Sequence, residues 1–400
     1  MKKLTAIVLA MLTICMLFTA CNEKSDNTTT VVEYGPTGLV SKGYLLESSD
    51  KVRIYAPETG YSMIYCNQPG CKHEQYSENN IAPSCTAVFP EDGVLMGAFF
   101  YNEKMYMFGW DNSLLNTVFY SSNLDGTGKK KLGVVENATI NHNYGLLIND
   151  GILYFPGEGR SFDGKQSTTK SVIAAIDMKT GEGEIIHEIG ESQYNLFNEV
   201  YMADDYFFYL ATTPETAKKI TEALNKGDKE FSKTLPDGWG VLYCLNIHTG
   251  ENKKLYDSGW HDFYWPLKVN IDSTFFYSRT VRDENGNAVS KQIREYNAET
   301  GEDKECRFGN ISIIRRFENK IYYGLNASNE ASVNYVYDVK TGKSHKLENE
   351  IDLSKVNVTS ADESNLFCNA NMSSGNTVMS WMTFDEFENG LTQPHIFDEQ

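Results

Sequence analysis

Apolar and polar residues alternate in short runs along the chain, and the segment Ile148–Ile186 shows the pattern most clearly. It opens with Ile148–Phe155, where an Asp-Gly pair separates two apolar runs. A later apolar run ends at Thr180-Gly181, after which apolar residues resume. Alternation between tight turns is typical of half-buried antiparallel strands, and the glycine supplies the positive φ that a hairpin needs. The segment is therefore predicted to form a small antiparallel sheet.

The same arrangement recurs along the rest of the chain. A Thr-Gly turn, with one Asn-Gly variant, closes each copy at Thr59-Gly60, Thr127-Gly128, Thr180-Gly181, Thr249-Gly250, Thr300-Gly301, Thr341-Gly342 and Asn389-Gly390. A second turn before an aromatic strand begins at Asn102, Asn149, Asp204, Asp272, Glu318 and Asp362. Two turns per unit in constant order mean four strands, and the turn glycines are 41 to 69 residues apart, near the length of a propeller blade.

These repeats predict an all-β fold, a β-propeller, that occupies residues 31–400 as a single domain. Seven turns indicate seven four-stranded blades, although six or eight remain possible. A pair of β-sandwiches would not give seven equivalent turns in one order. Ring closure is expected to join the strand near Val31–Tyr34 to the last blade.

Two intervals are long enough to carry insertions, at residues 66–90 and 211–240. The second contains a predicted helix in the fourth blade, with Thr213 as N-cap, Pro214 in the first helical position and Gly227 at its end. One face of this helix would carry Ala217, Ile220 and Leu224, enough to dock on the blades.

Strand order predicts which end of the disc each connection occupies. In a blade A-B-C-D, the A–B and C–D turns lie on one end, the turn face, and the B–C and D–A connections on the other, the loop-rich face. The elements predicted on the loop-rich face are Pro156–Lys170, Ala211–Gly240, Arg279–Ser290, Cys66–Pro90, Trp110, Trp239, Trp260 and Trp265. Trp381 alone is expected inside a strand.

The N-terminus has the pattern of a bacterial lipoprotein signal peptide over residues 1–20. Lys2 and Lys3 precede an apolar run that ends in small residues before Cys21. Cys21 is therefore the predicted lipidation site, with a plain secretory signal as the alternative. Residues 21–30 are polar and predicted to form a flexible tether. The expected location is extracytoplasmic and membrane-anchored.

The chain carries 54 acidic and 36 basic residues, a net charge of −18. The acid is scattered, which indicates a solvated surface and disfavours nucleic acid, since phosphate binding needs a basic footprint. No G-x-S-x-G, H-E-x-x-H or phosphate-binding glycine loop occurs in the sequence. Acidic pairs such as Asp204-Asp205 are better explained by turn capping. The sequence thus favours a non-enzymatic protein.

The densest chemical pattern is Cys66-x4-Cys71-x-His73-x11-Cys85. Three thiolates and an imidazole would complete a tetrahedral, structural zinc site with no open position. A disulfide is the alternative, because cysteines outside the cytoplasm can oxidise. The remaining cysteines, Cys244, Cys306 and Cys368, are predicted to be buried strand residues.

The run C-N-Q-P-G-C-K-H, followed by Cys85-Thr86-Ala87, resembles the C-x-x-P-x-C-x-H … C-x-A element of lipid-anchored propeller proteins from Gram-positive anaerobes. The resemblance covers about twenty residues. It implicates Cys66, Cys71, His73 and Cys85, and it adds no catalytic residue.

Candidate ligand contacts are the aromatic residues of the loop-rich face and one histidine: Trp110, Trp239, Trp260, His261, Tyr264 and Trp265. Packing over blade edges would explain the rings equally well, and a surface histidine bonded to its neighbour would explain His261. The favoured function is a membrane-tethered binding or scaffold propeller that holds a glycan or peptide by aromatic stacking. The alternatives are a propeller hydrolase or lyase acting on polysaccharide, with carboxylates at the central channel, and a structural subunit of a cell-envelope complex.

Overall fold

The computed structural model describes residues 30–32, 34–35, 38–41, 43–48, 50–75, 85–90, 93–141, 144–162, 167–192, 196–227, 240–371, 377–391 and 393–399. Four predictions lie outside these ranges: the signal peptide, lipidation of Cys21, the flexible tether up to residue 29, and Trp239. Within the described ranges, no helix is long and apolar enough to cross a membrane.

The chain forms a seven-bladed β-propeller of four-stranded antiparallel blades, which confirms the predicted fold. Two short strands come first, β1 (Thr30–Val32) and β2 (Tyr34–Gly35). Blade 1 comprises β3 (Gly38–Ser41), β4 (Tyr44–Ser48), β5 (Val52–Ala56) and β6 (Tyr61–Ile64). Blade 2 comprises β7 (Gly93–Tyr101), β8 (Lys104–Asp111), β9 (Thr117–Asn123) and β10 (Lys130–Val135). Blade 3 follows the short β11 (Ala138–Ile140) and comprises β12 (Leu146–Asn149), β13 (Ile152–Phe162), β14 (Ser167–Asp177) and β15 (Gly183–Ser192).

The second half of the ring contains the two helices found among the described residues. Blade 4 comprises β16 (Phe197–Ala203), β17 (Tyr206–Ala211), helix α1 (Pro214–Asn225), β18 (Gly240–Asn246) and β19 (Asn252–Ser258). Blade 5 comprises β20 (Asp262–Ile271), β21 (Thr274–Arg282), β22 (Ala288–Asn297) and β23 (Asp303–Glu305). Blade 6 comprises β24 (Ile311–Phe317), β25 (Lys320–Leu325), β26 (Ser332–Asp338) and β27 (Lys343–Asp352). Blade 7 comprises β28 (Asn357–Ala361), β29 (Asn365–Asn371), β30 (Thr377–Thr383), helix α2 (Phe384–Glu388) and β31 (His395–Ile396). The last described strand is β32 (Asp398–Glu399).

The predicted turns all occupy their assigned places. Each Thr-Gly pair lies between the third and fourth strands of a blade, as at Thr180-Gly181 between β14 and β15. Gly181 has φ +81°, and a Cβ there would come within 1.9 Å of the Leu132 carbonyl oxygen of blade 2. Only glycine therefore fits. The A–B turns use Asp150, Asp204 and Asp272 at φ between 47° and 49°, a region that Asp tolerates better than most residues.

The core consists of seven apolar clusters, each lying between two neighbouring blades. Aromatic rings join the blades, as where Phe208 and Phe275 stack 4.9 Å apart between blades 4 and 5. The cluster between blades 7 and 1 is the smallest, with Leu45, Phe367 and Phe397 as its buried residues. Alternating buried residues on both faces of each inner strand thus hold the ring together.

Ring closure differs from the prediction. The residues near Val31–Tyr34 do not join the last blade: β1 pairs with β12 of blade 3, and β2 pairs with β3 of blade 1. Closure is made instead by β32, which pairs in parallel with Tyr61 and Ser62 on the outer edge of blade 1. Phe397 contributes by packing edge-on against Tyr55, with ring centroids 5.3 Å apart.

Two predicted loops are mostly strand. Much of Pro156–Lys170 belongs to β13 and β14, which pair from Ile152–Asp177 to Phe162–Ser167. Arg279–Ser290 is likewise divided between β21 and β22. The insertion Ala211–Gly240 has the predicted limits, and its helix has Thr213 as N-cap, with its hydroxyl accepting from the Thr216 backbone N–H at 3.2 Å. Pro214 begins the helix and packs against Gly190 of β15, so the helix docks on blade 3.

Candidate metal centre and loop-rich face

Four potential metal ligands converge in the connection between blades 1 and 2. The donor atoms of Cys66, Cys71, His73 and Cys85 all lie within 4.8 Å of one another. Nδ1 of His73 is 3.3 Å from Sγ of Cys85, and the His73 backbone N–H donates to Sγ of Cys71 at 3.4 Å. Neighbouring ligands of a tetrahedral zinc ion with Zn–S bonds of about 2.3 Å are separated by about 3.5 to 3.8 Å. These four residues could therefore hold a metal ion.

Local backbone geometry brings these residues together. Gly70 has φ +72° and reverses the chain between Cys66 and Cys71, and His73 itself has φ +54°. The Cys71 N–H donates to the Gln68 carbonyl at 3.2 Å, which closes the turn. The cluster thus depends on a tight turn that the Pro69-Gly70 pair favours.

Blade 2 holds the same loop from the outside. The Lys129 ammonium donates to the carbonyls of Cys85 and Val88 at 3.1 and 2.8 Å. Asn67 donates to the carbonyl of Asp125 at 2.8 Å. Asp125 and Lys129 flank the Thr127-Gly128 turn, so the cluster lies at the rim, between the outer parts of blades 1 and 2.

This position corrects the prediction that the Cys/His loop lies apart from the Thr-Gly turns. The strand order is as predicted, but successive strands of a blade are twisted relative to one another. The outer strand of one blade consequently meets the C–D turn of the next, as Gly133 of blade 2 meets Gly181 of blade 3. The loop emerges from the predicted end of β6 and still reaches a turn of blade 2.

The pKa values of the Cys66 and Cys85 thiols shift in opposite directions. Burial raises the pKa of the Cys66 thiol, but hydrogen bonds from the Gln68 backbone and from Thr86 more than offset this, so its pKa lies below the ordinary value. Burial raises the pKa of Cys85 to about 12, and the neighbouring thiols add to the increase. Burial also lowers the pKa of Lys129 to about 8. A bound cation would favour deprotonation of all three thiols.

The six cysteines in the described part of the chain have free thiols. Cys244 in β18 and Cys368 in β29 are buried as predicted, and Cys306 is buried directly after β23. Burial raises the pKa of Cys244 and of Cys368 to about 12. These three thiols are thus unreactive core groups that lie apart from the Cys/His cluster.

A row of half-buried aromatic side chains lies at the loop-rich end of blade 5. Trp260 precedes β20, and Phe263 and Trp265 lie near its start with ring centroids 5.7 Å apart. The Arg282 guanidinium, at the end of β21, lies 5.0 Å from the Trp260 ring and 5.4 Å from the Phe263 ring. We call Trp260, Arg282, Phe263 and Trp265 the blade-5 ladder. Sequence reasoning missed Arg282 and Phe263, because their contribution depends on pairing between β20 and β21.

The other predicted contact residues lie around or away from the ladder. His261 is exposed, and its carbonyl accepts from the Arg282 N–H at 2.8 Å. Tyr264 is buried against Tyr256, with centroids 4.5 Å apart. Trp110 lies at the end of β8 and donates to the Ile140 carbonyl at 3.3 Å, away from blade 5. Trp110 and Trp265 thus lie in strands, so Trp381 is not alone in this respect.

A bidentate ion pair supports the ladder. Nε and Nη2 of Arg279 donate to the two carboxylate oxygens of Asp262 at 2.9 and 2.8 Å. These hydrogen bonds lower the pKa of Asp262, which therefore stays ionised. Asp262 follows Trp260 and His261, so the pair fixes the start of β20.

A polar group that the sequence did not reveal lines the central channel. On β16 the Tyr201 hydroxyl donates to Glu199 at 2.9 Å. Burial raises the pKa of Glu199, while Tyr201 and the nearby Lys268 of β20 act in the opposite direction. A cavity of about 190 Å³ beside them is lined by Tyr201, Lys268 and Arg316 among others. These residues come from three blades and share no local motif.

No protein-family model matches the chain, and neither does any curated protein. Among solved structures, an oligogalacturonate lyase in complex with manganese is 12% identical over 89% of this chain and 90% of that chain, with a TM-score of 0.47. Oligogalacturonate lyase from Vibrio parahaemolyticus is 12% identical over 90% and 92%, with a TM-score of 0.48. Pyrococcus horikoshii acylaminoacyl peptidase is 11% identical over 89% and 51%, with a TM-score of 0.43. Nothing about activity follows from similarities this distant.

Proposed function

We propose that the protein is an extracytoplasmic lipoprotein, anchored through Cys21, that holds a glycan or an extended peptide at the loop-rich end of blade 5. The observation that carries this proposal is the blade-5 ladder, in which Trp260, Phe263 and Trp265 remain half-buried, although Trp265 also packs against the core cluster between blades 4 and 5. Aromatic faces bind sugar C–H groups and peptide side chains at low entropic cost. The Arg282 guanidinium adds a cation beside the rings.

Rigidity of the ladder supports the same proposal. Arg282 is held by its contacts with Trp260 and Phe263 and by a hydrogen bond from Nη1 to the Trp260 carbonyl at 3.2 Å. The Arg279–Asp262 pair fixes the adjoining backbone. A preformed surface loses little freedom on binding, so more of the contact energy remains as affinity.

We further propose that Cys66, Cys71, His73 and Cys85 bind a structural zinc ion. Four soft or borderline ligands suit zinc and leave no position for water or substrate. The metal would fasten the long connection between blades 1 and 2. Because Lys129 and the Asp125 carbonyl of blade 2 already bind this loop from outside, the metal adds to the stability of the rim and has no catalytic part.

A glycan and peptide array with the mature protein tests the proposed function. The expected result is selective binding to one class of glycan or peptide that persists in about 0.5 M salt. The Debye length is then about 4 Å, so most non-specific attraction between charges is screened. Absence of binding to either class would contradict the ligand-binding proposal and favour the structural-subunit alternative.

A second candidate function is supported by one observation, the Glu199–Tyr201 pair on an inner strand beside Lys268. A carboxyl group with a raised pKa near a cation in a channel is an arrangement suited to acid–base cleavage of polysaccharide. Release of reducing or unsaturated ends from an array glycan by the wild type, and its loss in Glu199→Gln, would favour this candidate.

A further inference from the structure

The first described residues lie inside the ring of blades. Strand β1 pairs with β12 on the edge opposite β13, with Thr30 facing Ile148 and Val32 facing Leu146. Because β15 forms the outer edge of blade 3, β12 is its inner strand, and β1 therefore occupies the channel. Strand β12 runs from the loop-rich face at Leu146 to the A–B turn after Asn149. Thr30 thus lies nearer the turn face than Val32 does.

The pairing of β2 with β3 shows independently that the N-terminal segment runs towards the loop-rich face. Gly35 of β2 pairs with Gly38, and Tyr34 pairs with Leu39, on the inner edge of blade 1. Strand β3 descends from Gly38 at the loop-rich face to the A–B turn at Gly43. Gly35 accordingly lies at the loop-rich face. Between Thr30 and Gly35 the chain crosses the channel from blade 3 to blade 1 and rises from one face to the other.

We propose that this N-terminal segment threads the central channel and fixes how the protein is oriented on a membrane, with the turn face towards the bilayer and the loop-rich face away from it. The orientation rests on the proposed anchoring at Cys21. Nine residues of chain from Cys21 to Thr30 reach about 30 Å at most, so the anchor holds the entry of the channel close to the surface.

The orientation has a consequence for ligand binding. The blade-5 ladder lies at the far end of the disc, where an extended glycan or peptide can approach without meeting the bilayer. The turn face carries exposed acids such as Asp150 and Asp272. An anionic leaflet repels such groups, so the tether, and not charge attraction, holds this face towards the membrane.

A cross-link tests the threading without reference to lipidation. Val31 pairs with Leu147, and paired residues of antiparallel strands have Cα atoms about 4.5 to 5.5 Å apart, within the range of a disulfide. The double variant Val31→Cys, Leu147→Cys should form this bond on mild oxidation, as shown by mass mapping. The control pair Val31→Cys, Ile313→Cys, which involves an inner strand of blade 6, should not. The reverse result would overturn the threading.

Fluorescence energy transfer from a donor on the protein to an acceptor lipid in vesicles tests the orientation. This measurement does not need the cysteine double variant, so it still applies if that variant fails to fold. The mature chain carries a histidine tag in place of Cys21 and binds nickel-chelating vesicles that contain an acceptor lipid. A donor is attached through an azide-bearing residue at Lys179 on the turn face or at Glu284 on the loop-rich face, both exposed. A strand of eleven residues spans roughly 30 Å, so transfer from position 179 should exceed transfer from 284 severalfold.

Equal transfer from the two positions, or more from 284, would overturn the proposed orientation. Failure of Cys21 lipidation leaves this measurement unaffected, because the nickel chelate replaces the lipid. The proposed anchoring and the proposed orientation can therefore fail separately.

Discussion

Lys129 is a central residue of the Cys/His cluster although it is none of the four proposed ligands. Its ammonium bonds the carbonyls of Cys85 and Val88 and lies near the thiols. The four ligands could be predicted because their spacing within twenty residues is itself a chemical pattern. Lys129 follows Cys85 by 44 residues and reaches it only through the stacking of blade 2 on blade 1. No pattern in the sequence near Lys129 predicts this contact.

Replacement of a ligand should remove the metal without unfolding the ring. The purified wild type should contain about one zinc per chain, and Cys71→Ala should contain less than about a tenth of this, as measured by plasma mass spectrometry. The melting temperature should fall by only a few degrees, because the site lies in a connection at the rim. Proteolysis within 66–90 should become faster.

Cys306→Ala is the matched control, since Cys306 also follows the last strand of a blade but lies apart from the cluster. It should retain the full zinc content. A metal-free wild type with a disulfide from Cys71 to Cys66 or Cys85 would contradict the zinc proposal.

At the scale of elements, the turns were predictable because each requires particular backbone angles, as at Gly181 and Asp150. Strand segments made of polar residues and glycine could not be predicted. The sequence Gly157-Glu158-Gly159-Arg160 looks like loop, yet it continues β13, because β14 pairs with one of its edges and β11 with the other. Hydrogen bonds on both edges stabilise a segment whose own residues disfavour strand.

The connection after blade 5 provides a stability test. Glu295 in β22 is fully buried, and its carboxylate accepts from Nε and Nη2 of Arg307 at 2.9 and 2.8 Å. Glu295→Gln leaves Arg307 without its charged partner. Removal of one member of a buried pair costs about 3–5 kcal/mol, and because Arg307 is about a third exposed we expect about 2–3 kcal/mol in the free energy of unfolding by urea.

Glu363→Gln serves as the control, because the Lys340–Glu363 pair is exposed on both sides. This variant should leave the melting temperature nearly unchanged. If both variants were equally stable, the Glu295–Arg307 pair would have no part in holding the connection.

At the scale of the whole molecule, the number of blades could be predicted by counting turns. The strand pairing that closes the ring could not be predicted. Closure depends on Asp398 and Glu399 pairing with Tyr61 and Ser62, at the opposite end of the chain. Two-residue strands carry no periodicity, and a parallel pairing leaves no turn in the sequence. One strand was predicted near Val31–Tyr34, but two short strands form there, and their partners in blades 3 and 1 could not be identified because strands of two or three residues carry no periodicity.

Anchoring concerns the whole molecule and has a direct test. The pattern before Cys21 predicts lipidation there, so Cys21→Ala should move the protein from the membrane fraction to the soluble extracytoplasmic fraction. Val94→Ala, which alters an exposed apolar side chain on blade 2, should stay with the membrane. Retention of Cys21→Ala on the membrane would contradict lipid anchoring.

The affinity of Trp260→Ala for the ligand selected on the array tests ligand binding at the blade-5 ladder most directly. Loss of a central aromatic contact should weaken binding at least about thirtyfold, equivalent to about 2 kcal/mol. Stability should fall by only about 1 kcal/mol, the scale of the lost contact with Arg282, and Val94→Ala should bind like the wild type. Unchanged affinity, or a melting temperature lowered by ten degrees or more, would show that the ring packs against the blade and does not contact the ligand.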